Sequence, residues 1–223
     1  MAASDDGLLA RFTAAERALH WATAVVVLAC AVTGLVLYIG PLSTLVGRRN
    51  LVKDVHVISG LAMPAPLILA YAGRWRDAVR ADVRRLSRWT AADRRWLRTR
   101  GREARALVGK FNAGQKANAA FVAGMIPLMV ATGSIMRWFG PFPLSWRTGA
   151  TFVHDWTAIA TWLVVAGHIV IALADRGALR GMITGRVTRR WAERHHPLWA
   201  ERVTGPTMAA RPTQEETWTS ASG

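Results

Sequence analysis

Four stretches of the chain are almost wholly apolar, and charged positions crowd between them. They cover about residues 18–39, 55–72, 117–138 and 149–174. Each is close to the roughly 20 helical residues needed to cross a hydrocarbon core of about 30 Å. Gly40-Pro41 ends the first run and Gly140-Pro141-Phe142-Pro143 ends the third. Pro64 and Pro66 fall inside the second and shortest run. A membrane helix tolerates proline where neighbours or water take up the freed carbonyls, so a kink is expected there. Residues 1–12 are small and polar and read as a frayed end, and the tail from about Thr204 reads as disordered. No internal repeat is visible. The expected fold is all-α, a four-helix transmembrane bundle over residues 17–175. A segment 1–16 precedes it, a tail 176–223 follows, and a long basic loop, 73–116, joins helices two and three.

Charge gives the bundle a direction. The chain carries 29 Lys/Arg against 14 Asp/Glu, a net charge of +15. In a soluble protein this balance would suggest nucleic acid, but the membrane runs remove that reading and no nucleic-acid partner is expected. Of the 29 cations, 14 lie in residues 73–116, 8 follow the fourth run and 2 precede or begin the first. The other two connections hold only 3 and 2. The positive-inside rule then places both termini and the long loop in the cytoplasm, in a multi-pass protein of a bacterial inner membrane. The loop itself, with Trp75, Trp89 and Trp96, reads as a solvated basic segment anchored at the interface by tryptophan, the alternative being a dock for a partner or anionic lipid.

The single cysteine, Cys30, excludes an internal disulfide, and the chain has no CxxC or CxxCH. Val27-Leu28-Ala29-Cys30 faintly resembles a lipoprotein cleavage site, but the apolar run continues past Cys30. No HExxH, phosphate loop or nucleophile–base set is visible, so no substrate-oxidising site is expected in this chain.

Histidine carries the candidate chemistry. In the oriented bundle His20 lies near the cytoplasmic end of helix one and His168 near the same end of helix four. His56 lies at the outer end of helix two, and His154 lies about one and a half turns in from the outer end of helix four. His154 and His168 are 14 residues apart, about 21 Å along the axis and within about 40° of the same face. The depths define two pairs, His56 with His154 and His20 with His168. Facing imidazoles across a bundle interior are what bis-histidine haem ligation requires. Buried ionisable groups are costly in a membrane, which favours function over four hydrogen-bonded core histidines. Gly34, Gly60, Gly124 and Gly133 are small residues suited to a flat cofactor, or simply to helix packing. His195 and His196 fall outside the helices and read as structural or interface residues.

The motifs Arg17-Ala18-Leu19-His20-Trp21, HVISG at 56–60, GKFNAGQK at 109–116, HDW at 154–156, GHI at 167–169 and HHPLW at 195–199 carry a family resemblance. Over about residues 11–203 the sequence resembles the cytochrome b (gamma) subunit of membrane-bound respiratory formate dehydrogenases. GKFNAGQK is its most specific motif; the histidine pattern is shared with related hydrogenase and thiosulfate-reductase cytochromes. The resemblance implies two b haems on His20, His56, His154 and His168. It implies partners too, an iron–sulfur subunit on the outer face and a catalytic dehydrogenase subunit. Electrons would pass from the outer haem to the inner and on to a quinone, menaquinone or ubiquinone, near the cytoplasmic face. The motif assigns the quinone pocket to Asn112, Gly114 and Gln115 beside His168, with Lys110 and Lys116 adding positive charge. Without the resemblance, Asn112 and Gln115 read as a polar helix cap. A reading of another class is a haem-free membrane anchor for a partner complex.

Overall fold

The structure, a computed structural model, describes residues 7–205. Helix α1 (Ala14–Tyr38) starts at a capping box: the Thr13 hydroxyl accepts from the Glu16 amide, and the Glu16 carboxylate accepts from the Thr13 amide at 2.6 Å. Its apolar run ends at Ile39, where Gly40-Pro41 turns the chain into a short helix α2 (Gly40–Val46). The second span is two helices, α3 (Arg49–Ala62) and α4 (Ala65–Ala72), 24 residues end to end. The expected kink falls at Met63-Pro64, where proline has no N–H to donate and its ring blocks the preceding turn. The span begins six residues before its apolar run, because Arg49, Asn50, Lys53 and Asp54 form polar first turns.

Helix α5 (Arg76–Ser87) and helix α6 (Ala91–Thr99) follow, then α7 (Ala113–Arg137) and the 31-residue α8 (Leu144–Ala174). At 1.5 Å per residue α8 is about 46 Å long, more than a bilayer core of about 30 Å, so it tilts or projects. Around the bundle α1 lies along α3 and α4, α3 meets α7, α7 lies along α8, and α8 returns to α1.

The bundle is apolar on the outside. Only 6% to 17% of the residues in the four most apolar windows are buried, and Leu69, Leu163 and Ile171 are at least 70% exposed. In water such a surface would aggregate; in a bilayer it is the solvated face. The chain is therefore a membrane protein with four spanning helices. Its small interior packs Cys30, Met63 and Met125 with Val26, Phe121, Ile126 and Met129. Cys30 is buried in mid-helix, and its thiol donates to the His56 carbonyl at 3.4 Å.

The basic end is more ordered than its composition suggests. Residues 8–12 are not frayed: strand β1 (Leu8–Ala10) pairs antiparallel with β2 (Arg186–Thr188), which follows α9 (Arg176–Thr184). Helices α10 (Arg189–His195) and α11 (Pro197–Thr204) close this end. The segment 73–116 is not a solvated loop either. Lys116 binds the Asp93 carboxylate at 2.8 Å and the Arg88 carbonyl at 2.9 Å, fixing α6 to α7. Trp96 fills the angle between them. A Cβ at Gly101 would meet its ring nitrogen at 2.8 Å, and Gly101 has φ +80°, so only glycine suits that turn. The tail expected to be disordered lies outside the described residues beyond Gly205.

Candidate functional site

His20 and His56 come from α1 and α3, and His154 and His168 from α8. The structure brings them together in the two pairs assigned by depth. The ring centroids of His20 and His168 are 6.1 Å apart, and those of His56 and His154 are 6.3 Å apart. A metal bound by one imidazole nitrogen on each side, at about 2 Å per bond and with a ring radius of about 1 Å, sets two centroids about 6 Å apart. Both pairs fit. Among the described residues no group of three or more His, Cys, Asp or Glu side chains could share a metal ion. A metal between either pair must therefore bring its remaining donors with it, as the iron of a haem does.

The hydrogen bonds fix which nitrogen of the His56–His154 pair is available. The Thr33 hydroxyl donates to the Ala29 carbonyl at 2.6 Å, and its oxygen lies 3.1 Å from His56 Nδ1. The Cys30 carbonyl, which only accepts, is also 3.1 Å from that nitrogen. His56 Nδ1 must carry the proton, leaving the Nε2 lone pair for a ligand bond. Helix α7, which has no histidine, repeats the arrangement. The Thr132 hydroxyl donates to the Leu128 carbonyl at 2.8 Å and accepts from His154 Nδ1 at 2.9 Å. A glycine follows each threonine. A Cβ at Gly34 would stand 3.2 Å from His56 Cε1, and one at Gly133 would stand 3.3 Å from His154 Cε1. These glycines leave room for the imidazole edges. A Cβ at Gly60 would stand 3.8 Å from the Cys30 thiol, and one at Gly124 would meet nothing within 4 Å.

GKFNAGQK turns the chain into α7. Asn112 is the N-cap: its side-chain oxygen accepts from the Gln115 amide at 2.9 Å, and the Gln115 side-chain oxygen accepts from the Asn112 amide at 3.0 Å. The pair is a capping box, so both oxygens are engaged and both NH2 groups remain as donors. A Cβ at Gly114 would lie 3.4 Å from the Trp96 ring. A cavity of about 670 Å³ opens beside this segment, lined by Lys110, Phe111, Asn112, Lys116, Trp96 and Arg202 among others. Gly114, Gln115 and His168 do not line it. Lys110 pairs with both Glu16 and Asp82, and Glu16 lies one turn before His20 on α1. Burial, and then a hydrogen bond with Glu16, hold the Asp82 carboxyl above its ordinary range.

His196 is accounted for by structure alone. Its Nδ1 donates to the Gly109 carbonyl at 2.8 Å, and its Nε2 accepts from Arg11 at 2.8 Å, because a guanidinium only donates. No nitrogen is left for a metal. Arg11 also donates to the Lys110 carbonyl at 3.0 Å and lies over the rings of Phe12, Trp191 and Trp199 at 4.8 to 5.1 Å. No sequence motif distinguished Arg11; its signal is the aromatic residues that gather around it only in the fold. Burial, and then the Arg11 charge, hold His196 down to about 3 from 6.5. Between those values the unfolded chain takes up a proton that the folded chain refuses, so this stabilisation is complete above about 6.5 and is lost as pH falls toward 3. Thermal unfolding in detergent is expected to shift to lower temperature from pH 7 to pH 5, and His196→Asn is expected to flatten that dependence.

Comparison with known proteins places the chain among membrane cytochromes. The family described as prokaryotic cytochrome b561 matches residues 11–185. The cytochrome b556(fdo) subunit of formate dehydrogenase from Escherichia coli K12 is 31% identical over 206 residues, spanning 87% of this chain and 93% of that protein. The cytochrome b556(Fdn) subunit of the nitrate-inducible formate dehydrogenase from the same strain is 26% identical over 215 residues, 90% of this chain and 94% of that protein. The formate dehydrogenase cytochrome b556 subunit of Haemophilus influenzae is 26% identical over 205 residues, 88% of this chain and 84% of that protein.

Proposed function

The chain belongs to the prokaryotic cytochrome b561 family, and from that premise we propose that it is a dihaem membrane subunit of a formate dehydrogenase-type complex. It carries electrons from an iron–sulfur partner, itself fed by a catalytic dehydrogenase subunit, across the membrane to a quinone. The observation that carries this reading is the pair of imidazole facings, 6.1 and 6.3 Å between centroids, on a bundle that offers no third ligand among the described residues. The relatives named as formate dehydrogenase subunits give the complex its class.

Haem b supplies one-electron oxidation and reduction when bound; the residues of this chain do the rest. His56 and His154, with Nε2 free, would hold one group, and His20 and His168 would hold the other. The apolar helices keep water from the space between the pairs, where field and charge interact strongly. The basic end takes the cytoplasmic side, by the distribution of Lys and Arg. There the motif assigns the quinone headgroup to Asn112, Gly114 and Gln115; of these Asn112 lines the cavity, and the spare NH2 donors of the cap are the hydrogen-bond partners on offer. Glu16, a turn before His20, and its partners Lys110 and Asp82 supply ionisable groups where reduction of a quinone consumes protons. Moving one charge across the membrane is worth about 2.3 kcal/mol per 100 mV, so this direction of flow stores energy.

Formate added to membranes containing the complex is expected to reduce both haems, with a molybdenum- or tungsten-containing subunit co-purifying in gentle detergent. Formate-independent haems with a nickel–iron partner would overturn the formate assignment in favour of a hydrogenase cytochrome.

A further inference from the structure

The two outer histidines are held by the same device, supplied each time by a neighbouring helix. In α1 it is Thr33-Gly34 against His56, 23 residues on; in α7 it is Thr132-Gly133 against His154, 22 residues on. In both, the hydroxyl proton is committed to a carbonyl four residues back in its own helix, so the oxygen faces the imidazole as an acceptor only. In both, the following glycine lets the ring lie close against the helix. The inner pair has no counterpart: among the described residues neither His20 nor His168 has a hydrogen bond to either ring nitrogen, and neither meets a Thr-Gly step.

This asymmetry bears on electron flow. An imidazole that donates its Nδ1 proton to a fixed acceptor gains negative character at Nε2 and becomes a stronger donor to a metal. Stronger axial donors favour the oxidised metal and lower its reduction potential, one of the levers by which a protein tunes a haem. An unanchored imidazole is a weaker donor and is freer to turn about its bond.

We propose that Thr33 and Thr132 are positioning residues that lock His56 and His154 in the Nδ1–H tautomer at fixed ring angles, and that they thereby hold the outer site at a lower potential than the His20–His168 site. The inference rests on the haem reading above. It makes transfer from the outer site to the inner one downhill, through groups that never touch either metal. The two threonines are unequal. His56 keeps the Cys30 carbonyl as a second acceptor at 3.1 Å, whereas His154 has Thr132 alone among the described residues. Thr132 is therefore the stronger lever.

The test is redox titration of the purified complex, with low-temperature EPR of the oxidised haems, on Thr33→Val, Thr132→Val and Thr132→Ser. Valine keeps the shape and removes the hydroxyl; serine restores it. The expected result is a positive shift in the midpoint of one haem in Thr132→Val, a smaller positive shift of the same haem in Thr33→Val, and the native value in Thr132→Ser. The EPR signal of that haem should move with its midpoint while the other stays fixed. Selective loss of one haem in Thr132→Val, with retention in Thr132→Ser, would equally support positioning. Unchanged midpoints and signals in Thr132→Val, a negative shift, or equal shifts of both haems would overturn the proposal. A native complex without two haems in this chain would instead overturn the reading on which it rests.

Discussion

His154→Ala is expected to remove one b-type haem from the chain and leave the other in place. The imidazole faces His56 at 6.3 Å between centroids, and no third His, Cys, Asp or Glu among the described residues stands ready to replace it. The Cys30 thiol is turned to the His56 carbonyl. The His20–His168 pair lies about 21 Å further along α8 and shares no ligand with the His56–His154 pair, so a group held there is expected to stay. Haem per chain should fall by half in a pyridine haemochrome assay. His20→Ala should halve it too, and the double substitution should abolish it. A third ligand elsewhere would show as full retention in the single variants.

Arg11→Ala is expected to destabilise the basic end by about 3 kcal/mol. The buried His196 Nε2 and the half-buried Lys110 carbonyl would lose their donor, at a cost of about 1–3 kcal/mol for the first and less for the second. The guanidinium also leaves the faces of Phe12, Trp191 and Trp199, where each contact contributes about 0.5–2 kcal/mol. Against this, Nε and Nη1 of Arg11 are buried without a partner, and burial lowers the group to about 10; losing that strain offsets part of the cost. The net loss should appear as a lower melting temperature in detergent and as faster proteolysis within residues 73–112. Haem content at the His56–His154 pair should be untouched, since α3 and the start of α8 lie at the opposite end of the bundle.

The bundle was legible because a bilayer demands long apolar runs, and their lengths and turn residues leave few alternatives. The histidine pairs were legible because charge placement converts sequence position into depth and a 14-residue spacing repeats a face. What remained hidden depends on distant contacts. Leu8–Ala10 is too short and too weakly patterned to announce a strand, and it exists because Arg186–Thr188 offers a partner almost 180 residues later. Arg11 reads as one cation among 29 until three aromatic rings surround it. The segment 73–116 looks like a charged loop because its order comes from Lys116, Asp93 and Trp96 meeting across helices. Asn112 and Gln115 carried a visible capping signature, and the structure does form that cap. Thr33-Gly34 and Thr132-Gly133 were visible as letters, yet only the placement of His56 and His154 shows what the repeated dipeptide does.

The central claim is that this chain holds two haems on four histidines. Its most direct test is the number of b-type haems per chain in the intact native protein, by pyridine haemochrome against quantitative amino-acid analysis. Two per chain is the predicted result; one or none in protein that remains folded and membrane-extracted would contradict it.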